Sequence, residues 1–489
     1  MTRASSGEGM AAITLAKAGF LATRTVYFLA LPHLLHSPAE YGNLSLVLAA
    51  VMVACAGLTE GTMQSVSTLV AGSPARAGEI RSAALAASSW IALAAGALLV
   101  LSAGPLARLF GGDPSLVPLF RLGALTVAAH LFFSVYLGLA AGLGRYRVQA
   151  ALDLFVSVSK LLLVVGLAAW AGTALWALGG FTLSQFLGVA LAAAVLGLFP
   201  WRGGFSKKAF FEHQGGMVAF SLVLNFAVRS DLFILKALAP GEGSAELAGY
   251  YGAAQVFASV PAALAVSVNL VLLPLVAASR ARGEEEEARS QIRGGLLLAL
   301  LALVWSSVIF SSNAAQWISL VYPGEYQAAA PVLEVLVFGG ALYTVFLICS
   351  TLLAALSSAR GAITLAAFYL GAIYSLGAFL VPKYLMMGAA WTHALSGLAV
   401  AAAGLFFLWK AFGAALPARA LAVLAAGGAA WALPRVLPGG AGEGPWSIFS
   451  ALFLRAGAQS ALFAGLCWAL GVFSSRDLGA VLGHNRIRT

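Results

Sequence analysis

Charge is what this sequence has least of. Only 9% of its 489 residues are Asp, Glu, Lys or Arg, against about 25% in soluble domains, which excludes a water-soluble globule. Cysteine is nearly as scarce. Cys55, Cys349 and Cys467 stand far apart in apolar segments; they share no metal-ligand spacing, form no disulfide framework, and read as small buried hydrophobes. Long polar segments are missing too, the longest running to about fifteen residues. No glycine-rich phosphate loop followed by Lys and Ser or Thr occurs, which argues against ATP-driven transport by this chain alone. No nucleophile stands near a base in any loop, so no enzyme and no cofactor are expected. The alternating ten-residue segments of an outer-membrane barrel are absent as well.

What the chain does have is apolar length, with 61% hydrophobic residues. Runs near the ~20 residues that a helix needs to cross a bilayer recur throughout. Fourteen can be read, near 10–35, 41–70, 82–104, 118–141, 150–171, 174–199, 214–239, 250–279, 294–313, 327–356, 361–381, 386–410, 418–437 and 447–472. The fold expected is an all-α polytopic membrane protein of about fourteen helices. The opening "MTRASSGEGMAAITLAKAGFLATR" makes a poor cleavable signal, because Lys17 and Arg24 interrupt its apolar region; it reads as an uncleaved first span.

The net charge of +10 raises the question of nucleic acid, but the basic residues are scattered over short loops and no such partner is expected. Topology accounts for them. With a cytoplasmic N-terminus, 18 of the 28 Lys and Arg residues fall on the cytoplasmic side and five on the other: Arg108, Arg121, Lys383, Arg435 and Arg455. The positive-inside rule therefore places both termini in the cytoplasm.

The two halves echo one another. Arg24 is followed by Pro32 and "AEYG" at 39–42, and Arg229 by Pro240 and "AELAGYYG" at 245–252, with Arg-to-Gly separations of 18 (Arg24 to Gly42) and 20 (Arg229 to Gly249). "LFGGDPSLVPLFRLGAL" (109–125) is likewise matched by "LVYPGEYQAAAPVLEVLVF" (320–338). These echoes predict two pseudo-symmetric six-helix lobes, 1–213 and 214–413, then a segment 414–489 with two further helices and a tail. Six spans per copy is even, so the copies share one orientation.

Five basic residues remain inside spans: Lys17, Arg24, Lys160, Arg229 and Lys236. A charge at a helix centre costs roughly 2.5–3.5 kcal/mol on an insertion scale. Residues seven apart lie two turns apart on nearly one face, so Lys17 with Arg24 and Arg229 with Lys236 form one cationic stripe per lobe. Ser221 and Asn225 extend the second. Stripes facing each other across a wet central cavity would suit a carrier of something anionic and partly greasy. The competing reading has Lys17 and Lys236 snorkelling to the interfaces.

The acids are candidates for ion pairing or coupling. Glu60 reaches the depth of Lys17 if spans one and two form a hairpin about Ser37 and Pro38. Asp153 shares a face with Lys160, whereas Asp231 points about 200° away from Arg229, towards a neighbouring helix or a cation. His130 is a proton-relay candidate set against simple packing, and His393 reads the same way. His33 and His36 lack a carboxylate cluster, so no metal is expected. The run "GEEEE" at 283–287 reads as solvated.

Beyond these residues there is a pattern. "SPAEYGNLSLVLA" (37–49) and "GLTEGTMQSVSTLVA" (57–71), with an arginine-bearing first span, resemble the bacterial polysaccharide flippases of the multidrug/oligosaccharidyl-lipid/polysaccharide exporter superfamily. The stretch 229–277 is the stronger match, with Asp231, Gly249, Tyr250, Tyr251 and Pro274 where that family carries Asp, Gly-Tyr-Tyr and a late proline. The resemblance implies two six-helix bundles around a cationic cavity, alternating access, and an undecaprenyl-diphosphate-linked oligosaccharide as cargo. It also implies a bacterial cytoplasmic membrane, surrounding lipids as partners, work as a monomer, and a polysaccharide polymerase or glycosyltransferases in the same pathway. In the fourteen-span branch the last two helices, here 418–472, are associated with the lipid tail. Relatives place more arginines around span two, where this chain has Glu60.

Arg24 and Arg229 would then hold the diphosphate by charge-assisted bonds. A cell interior negative by ~100 mV favours outward movement of each negative charge by ~2.3 kcal/mol, so no ATP is required; proton or sodium coupling is left open. A cation-coupled drug or metabolite exporter, a flippase for the peptidoglycan precursor lipid II, and a membrane glycosyl- or acyltransferase are the alternatives. The last would want a catalytic carboxylate or histidine in a sizeable outer loop.

Overall fold

The computed structural model describes residues 3–197, 207–239, 243–356, 359–413, 416–436 and 444–472. Each of the fourteen apolar segments coincides with a helix, and no strand occurs among the described residues. Nine helical stretches there are long and apolar enough to cross a membrane, one of which, Gly361–Phe412, holds two of the expected spans. Large apolar side chains face outward along them, Leu101, Trp170 and Trp446 among them, as lipid contact requires. The chain is a multi-pass helical membrane protein.

It divides into two compact units, Met1–Gly249 and Tyr250–Thr489. The first contains α1 (Arg3–Leu34), α2 (Pro38–Gly72), α3 (Ala77–Leu109), α4 (Leu116–Gly142), α5 (Tyr146–Ala171), α6 (Ala174–Leu196), α7 (Lys207–Leu238) and the first residues of α8 (Ser244–Ala281). Within it α1 packs on α5, α2 on α4 and α7, and α6 on α4 and α5. Val66, Val70, Ile80, Tyr136, Leu139 and Val156 form the core of this unit.

The "SPAEYGN" motif builds one end of that unit, and each of its polar residues has a task. The Ser37 hydroxyl accepts from the Glu40 N–H at 3.3 Å, capping α2, and Pro38 takes the first helical position. Glu40 Oε2 accepts from the Ala174 N–H at 2.6 Å, giving the start of α6 an anionic cap. Asn43 Nδ2 donates to Asp113 Oδ2 at 2.6 Å and to Ser115 Oγ at 3.1 Å, tying α2 to the turn between α3 and α4. Gly42 lets the backbone of α2 touch that of α8: a Cβ there would lie 2.7 Å from the Gly249 nitrogen.

The second unit contains the rest of α8, then α9 (Glu285–Ser312), α10 (Ala314–Val321), α11 (Ala330–Leu356), α12 (Ala359–Phe412), α13 (Arg419–Val436) and α14 (Pro445–Ala469). Residues that follow the two motif glycines reach the turns of their own units. In the first unit the residue after Gly42, Asn43, meets the turn at Asp113. In the second the residue after Gly249, Tyr250, meets the matching turn edge-on at Tyr326, ring centroids 5.6 Å apart at 89°.

Two span ends carry features of their own. The span expected over 294–313 ends at Asn313 as read, and the short α10 follows α9 there. There Asn313 Nδ2 donates to Gln459 Oε1 of α14 at 2.8 Å, while Gln459 Nε2 donates to Ser312 Oγ at 2.6 Å and to the Ala430 carbonyl at 3.1 Å. Trp431 Nε1 adds a bond to Ser311 Oγ at 3.0 Å. This buried polar knot fastens α13 and α14 to α9 and α10. The expected spans 361–381 and 386–410 are two helical arms of α12 that meet at a kink at Leu385, whose φ of 51° is strained for a residue with a Cβ.

The run at 283–287 is the exposed start of α9, with three glutamates in its first turn, where the helix dipole favours them. Arg289 Nε donates to the Phe412 carbonyl at 2.9 Å, a cation at the end of α12. All three cysteines are free and buried.

Candidate functional site

Three cations gather inside the first unit. Arg24 comes from the later part of α1, Lys160 from the middle of α5 and Arg229 from the later part of α7. The pairing of α1 with α5 brings Arg24 and Lys160 within electrostatic reach, and Arg24 also acts on Arg229. Lys160 in turn acts on Cys55 of α2 and His130 of α4, so it stands where four helices converge.

Lys160 is 6% exposed. Among the described residues its ammonium makes no hydrogen bond and no ion pair; it lies 5.4 Å from the centre of the Phe181 ring. Phe181, 3% exposed, belongs to α6 and is met edge-on by Tyr27 of α1, centroids 5.1 Å apart at 86°. The half-buried Arg24 lies 5.8 Å from the Phe28 ring centre. Neither it nor the half-buried Arg229 has a hydrogen-bonded or ion-paired partner among the described residues. Burying an ammonium costs several kcal/mol unless something compensates it. Three neighbouring cations, two of them set against ring faces rather than carboxylates, have the chemistry to receive an anion.

The other predicted residues fall elsewhere in the unit. Asp153 is half-buried and acts on Lys160, as the shared face requires. Asn225, half-buried, precedes Arg229 by one turn of α7. Asp231 is buried, its Oδ1 accepting from the Leu232 N–H at 2.8 Å, and Arg229 is within its field. His130 is half-buried, its Nδ1 2.9 Å from the Thr126 carbonyl. Glu60 is exposed. The side chains of Lys17, Ser221 and Pro274 lie outside the described residues, and the Lys17–Glu60 pairing with them.

Lys236 is buried at the end of α7. At 1% exposed it donates to Ser244 Oγ at 3.3 Å and faces the field of Asp113. Its role is to join the end of α7 to the start of α8 and the α3–α4 turn. Among the described residues no three His, Cys, Asp or Glu side chains group as metal ligands would. Sequence reasoning misses Tyr27 and Phe181, which look like ordinary apolar residues until α1, α5 and α6 are packed.

The second unit carries a groove of about 440 Å³ between α9, α11 and α13, lined by Leu303, Val304, Phe338, Leu342, Leu424 and Trp431. Ser307 supplies the one hydroxyl in that lining, buried and without a hydrogen-bond partner among the described residues. Such a surface takes hydrocarbon.

Solved structures with this fold are transporters. The lipid II flippase MurJ in an inward closed conformation superposes with a TM-score of 0.76 at 14% identity, covering 94% of this chain and 99% of that one. An inward-facing multidrug resistance MATE family transporter of the MOP superfamily gives 0.66 at 13% identity, over 79% and 94% of the two chains. A MOP superfamily transporter from Pyrococcus furiosus, described as having a binding pocket of reverse polarity, gives 0.57 at 15% identity, over 83% and 95%. No curated protein matches the sequence. A family description does match, over residues 33–331, well over half of the chain: it belongs to the polysaccharide biosynthesis protein family.

Proposed function

We propose that this protein is a flippase that carries a polyprenyl-diphosphate-linked oligosaccharide from the inner to the outer leaflet of a bacterial cytoplasmic membrane, for surface polysaccharide synthesis. The cargo class rests on one observation above others: Arg24 is within electrostatic reach of both the buried Lys160 and Arg229, and none of the three has a hydrogen-bonded or ion-paired partner among the described residues. A diphosphate carries the charge and the multiple acceptor oxygens such a group takes, and the two guanidinium groups suit it as paired donors. The apolar groove of the second unit has the chemistry for the polyprenyl chain. Family membership favours a glycan as the remainder.

Both termini lie in the cytoplasm in this reading, and the inside-negative membrane potential drives the anionic cargo outward at ~2.3 kcal/mol per charge per 100 mV. Access alternates between the two faces of the membrane. Cationic drugs would be repelled by the three basic groups, which counts against a drug exporter. A peptidoglycan precursor is a second reading, favoured by the likeness in fold to a lipid II flippase; the diphosphate contact serves either cargo.

The test is flipping by purified protein in vesicles, using undecaprenyl-diphosphate-linked oligosaccharide, with Arg24→Ala and Arg229→Ala made at wild-type membrane levels. Loss in both is expected. Undiminished flipping in both removes the diphosphate site. Competition by lipid II that matches the oligosaccharide would transfer the reading to the peptidoglycan precursor.

A further inference from the structure

We infer that Phe181 is a positioning residue for the anion site: its ring face holds the Lys160 ammonium in place without neutralising it. The inference rests on the anion-site reading and deepens it. Lys160 has a long side chain with many rotamers, and an ammonium free to sample them would meet an anion in the right place only part of the time. A carboxylate would fix the ammonium by pairing with it, and would then compete with every incoming anion.

A ring does something different. Its face is negative by virtue of the quadrupole, so it attracts a cation lying within about 6 Å of its centre, and Lys160 is 5.4 Å away. Yet it carries no net charge, and the full positive charge of Lys160 is left for a ligand. The ring itself is held. Tyr27 meets Phe181 in an edge-to-face arrangement, at 5.1 Å and 86°, the geometry in which a positive rim meets a negative face. Tyr27 is one turn along α1 from Arg24, so one aromatic pair links the helix bearing the guanidinium to the ring that holds the ammonium. The same arrangement recurs in looser form where Arg24 lies over Phe28.

The experiment measures binding of undecaprenyl diphosphate to the purified full-length protein. It compares Phe181→Leu, Phe181→Tyr, Lys160→Met and the double variant that combines Phe181→Leu with Lys160→Met, alongside thermal unfolding of each. Phe181→Leu should weaken binding by about 2- to 30-fold, the range from an exposed to a desolvated cation–ring contact. Phe181→Tyr, which keeps the ring face, should stay near wild type. With Lys160 already replaced, the change at Phe181 should cost nothing further. An unchanged affinity in Phe181→Leu overturns this role while leaving the anion site standing, and so does an equal loss in the Lys160→Met background, which would mean packing alone. If Lys160→Met and Arg24→Ala also bind undiminished, the anion site itself falls.

Discussion

Gly42 and Gly249, the glycines of the two echoed motifs, stand against each other: a Cβ on Gly249 would lie 3.3 Å from the Gly42 nitrogen and would collide with the Pro38 carbonyl. Neither helix can carry a side chain at that contact. Gly42→Val should therefore destabilise the protein by about 2 kcal/mol or more, at the upper end of the usual cost of overpacking, because the obstacle is backbone. Gly72, at the end of the same helix, has nothing within 4 Å of its would-be Cβ. Gly72→Ala should be neutral or slightly stabilising, and thermal unfolding of the two variants in detergent compares them.

The turn at Asp113 gives a dependence on pH. Burial alone would raise this carboxyl, but the bonds from the Ser115 hydroxyl, the Asn43 amide and the Ser115 N–H, with the charge of Lys236, outweigh it and hold the group below its ordinary value. A carboxyl lowered on folding stabilises the folded state above the usual Asp range, near 3.9, and that gain is lost as pH falls through the lower folded value. Asp113→Asn should thus melt below wild type at pH 7, and the gap should narrow as the pH is taken below about 3.9. A gap that widens on acidification would contradict the assignment.

Much of this is legible from composition and spacing. Charge scarcity and apolar runs carry the helical membrane fold because a bilayer leaves a backbone few alternatives. Arg24, Lys160 and Arg229 are visible because a cation in an apolar run is anomalous by itself. Phe181 and Tyr27 are not, since an aromatic residue there is what a span ordinarily contains, and only the packing of α5 on α6 gives the ring its cation. Lys236 is visible as a charge, but its partners Ser244 and Asp113 are not, because they sit on other elements. What fastens the end of α9 is hidden for the same reason: Asn313 finds its partner in Gln459, on α14.

That partner defines another measurement. Gln459, 1% exposed, bonds Asn313, Ser312 and the Ala430 carbonyl together. Gln459→Leu keeps the volume and removes the bonds, leaving buried polar groups unsatisfied at about 1–3 kcal/mol. The loss should fall on the docking of α13 and α14. Hydrogen exchange in α13 and α14 should quicken relative to wild type, while the affinity for a short-chain diphosphate lipid, whose contact is the cationic site, stays the same.

The groove of the second unit can be filled without disturbing what surrounds it. Gly427 and Gly428 both line it, but they differ: a Cβ on Gly427 would strike Val304, whereas one on Gly428 meets nothing within 4 Å. Replacing Gly428 by Leu also removes a poor helix former from α13, which favours the helix by up to ~1 kcal/mol. Gly428→Leu should therefore fold and melt at or above the wild-type temperature while occupying space that hydrocarbon would take. If the polyprenyl chain uses this groove, the variant should flip undecaprenyl-diphosphate-linked oligosaccharide more slowly and bind undecaprenyl diphosphate more weakly. Its binding of a short-chain diphosphate lipid, whose contact is the cationic site, should be unaffected. Equal losses for long and short chains would place the tail elsewhere. Gly427→Leu, in contrast, should lose stability through the collision with Val304, so the pair separates filling the groove from breaking the helix packing that forms it.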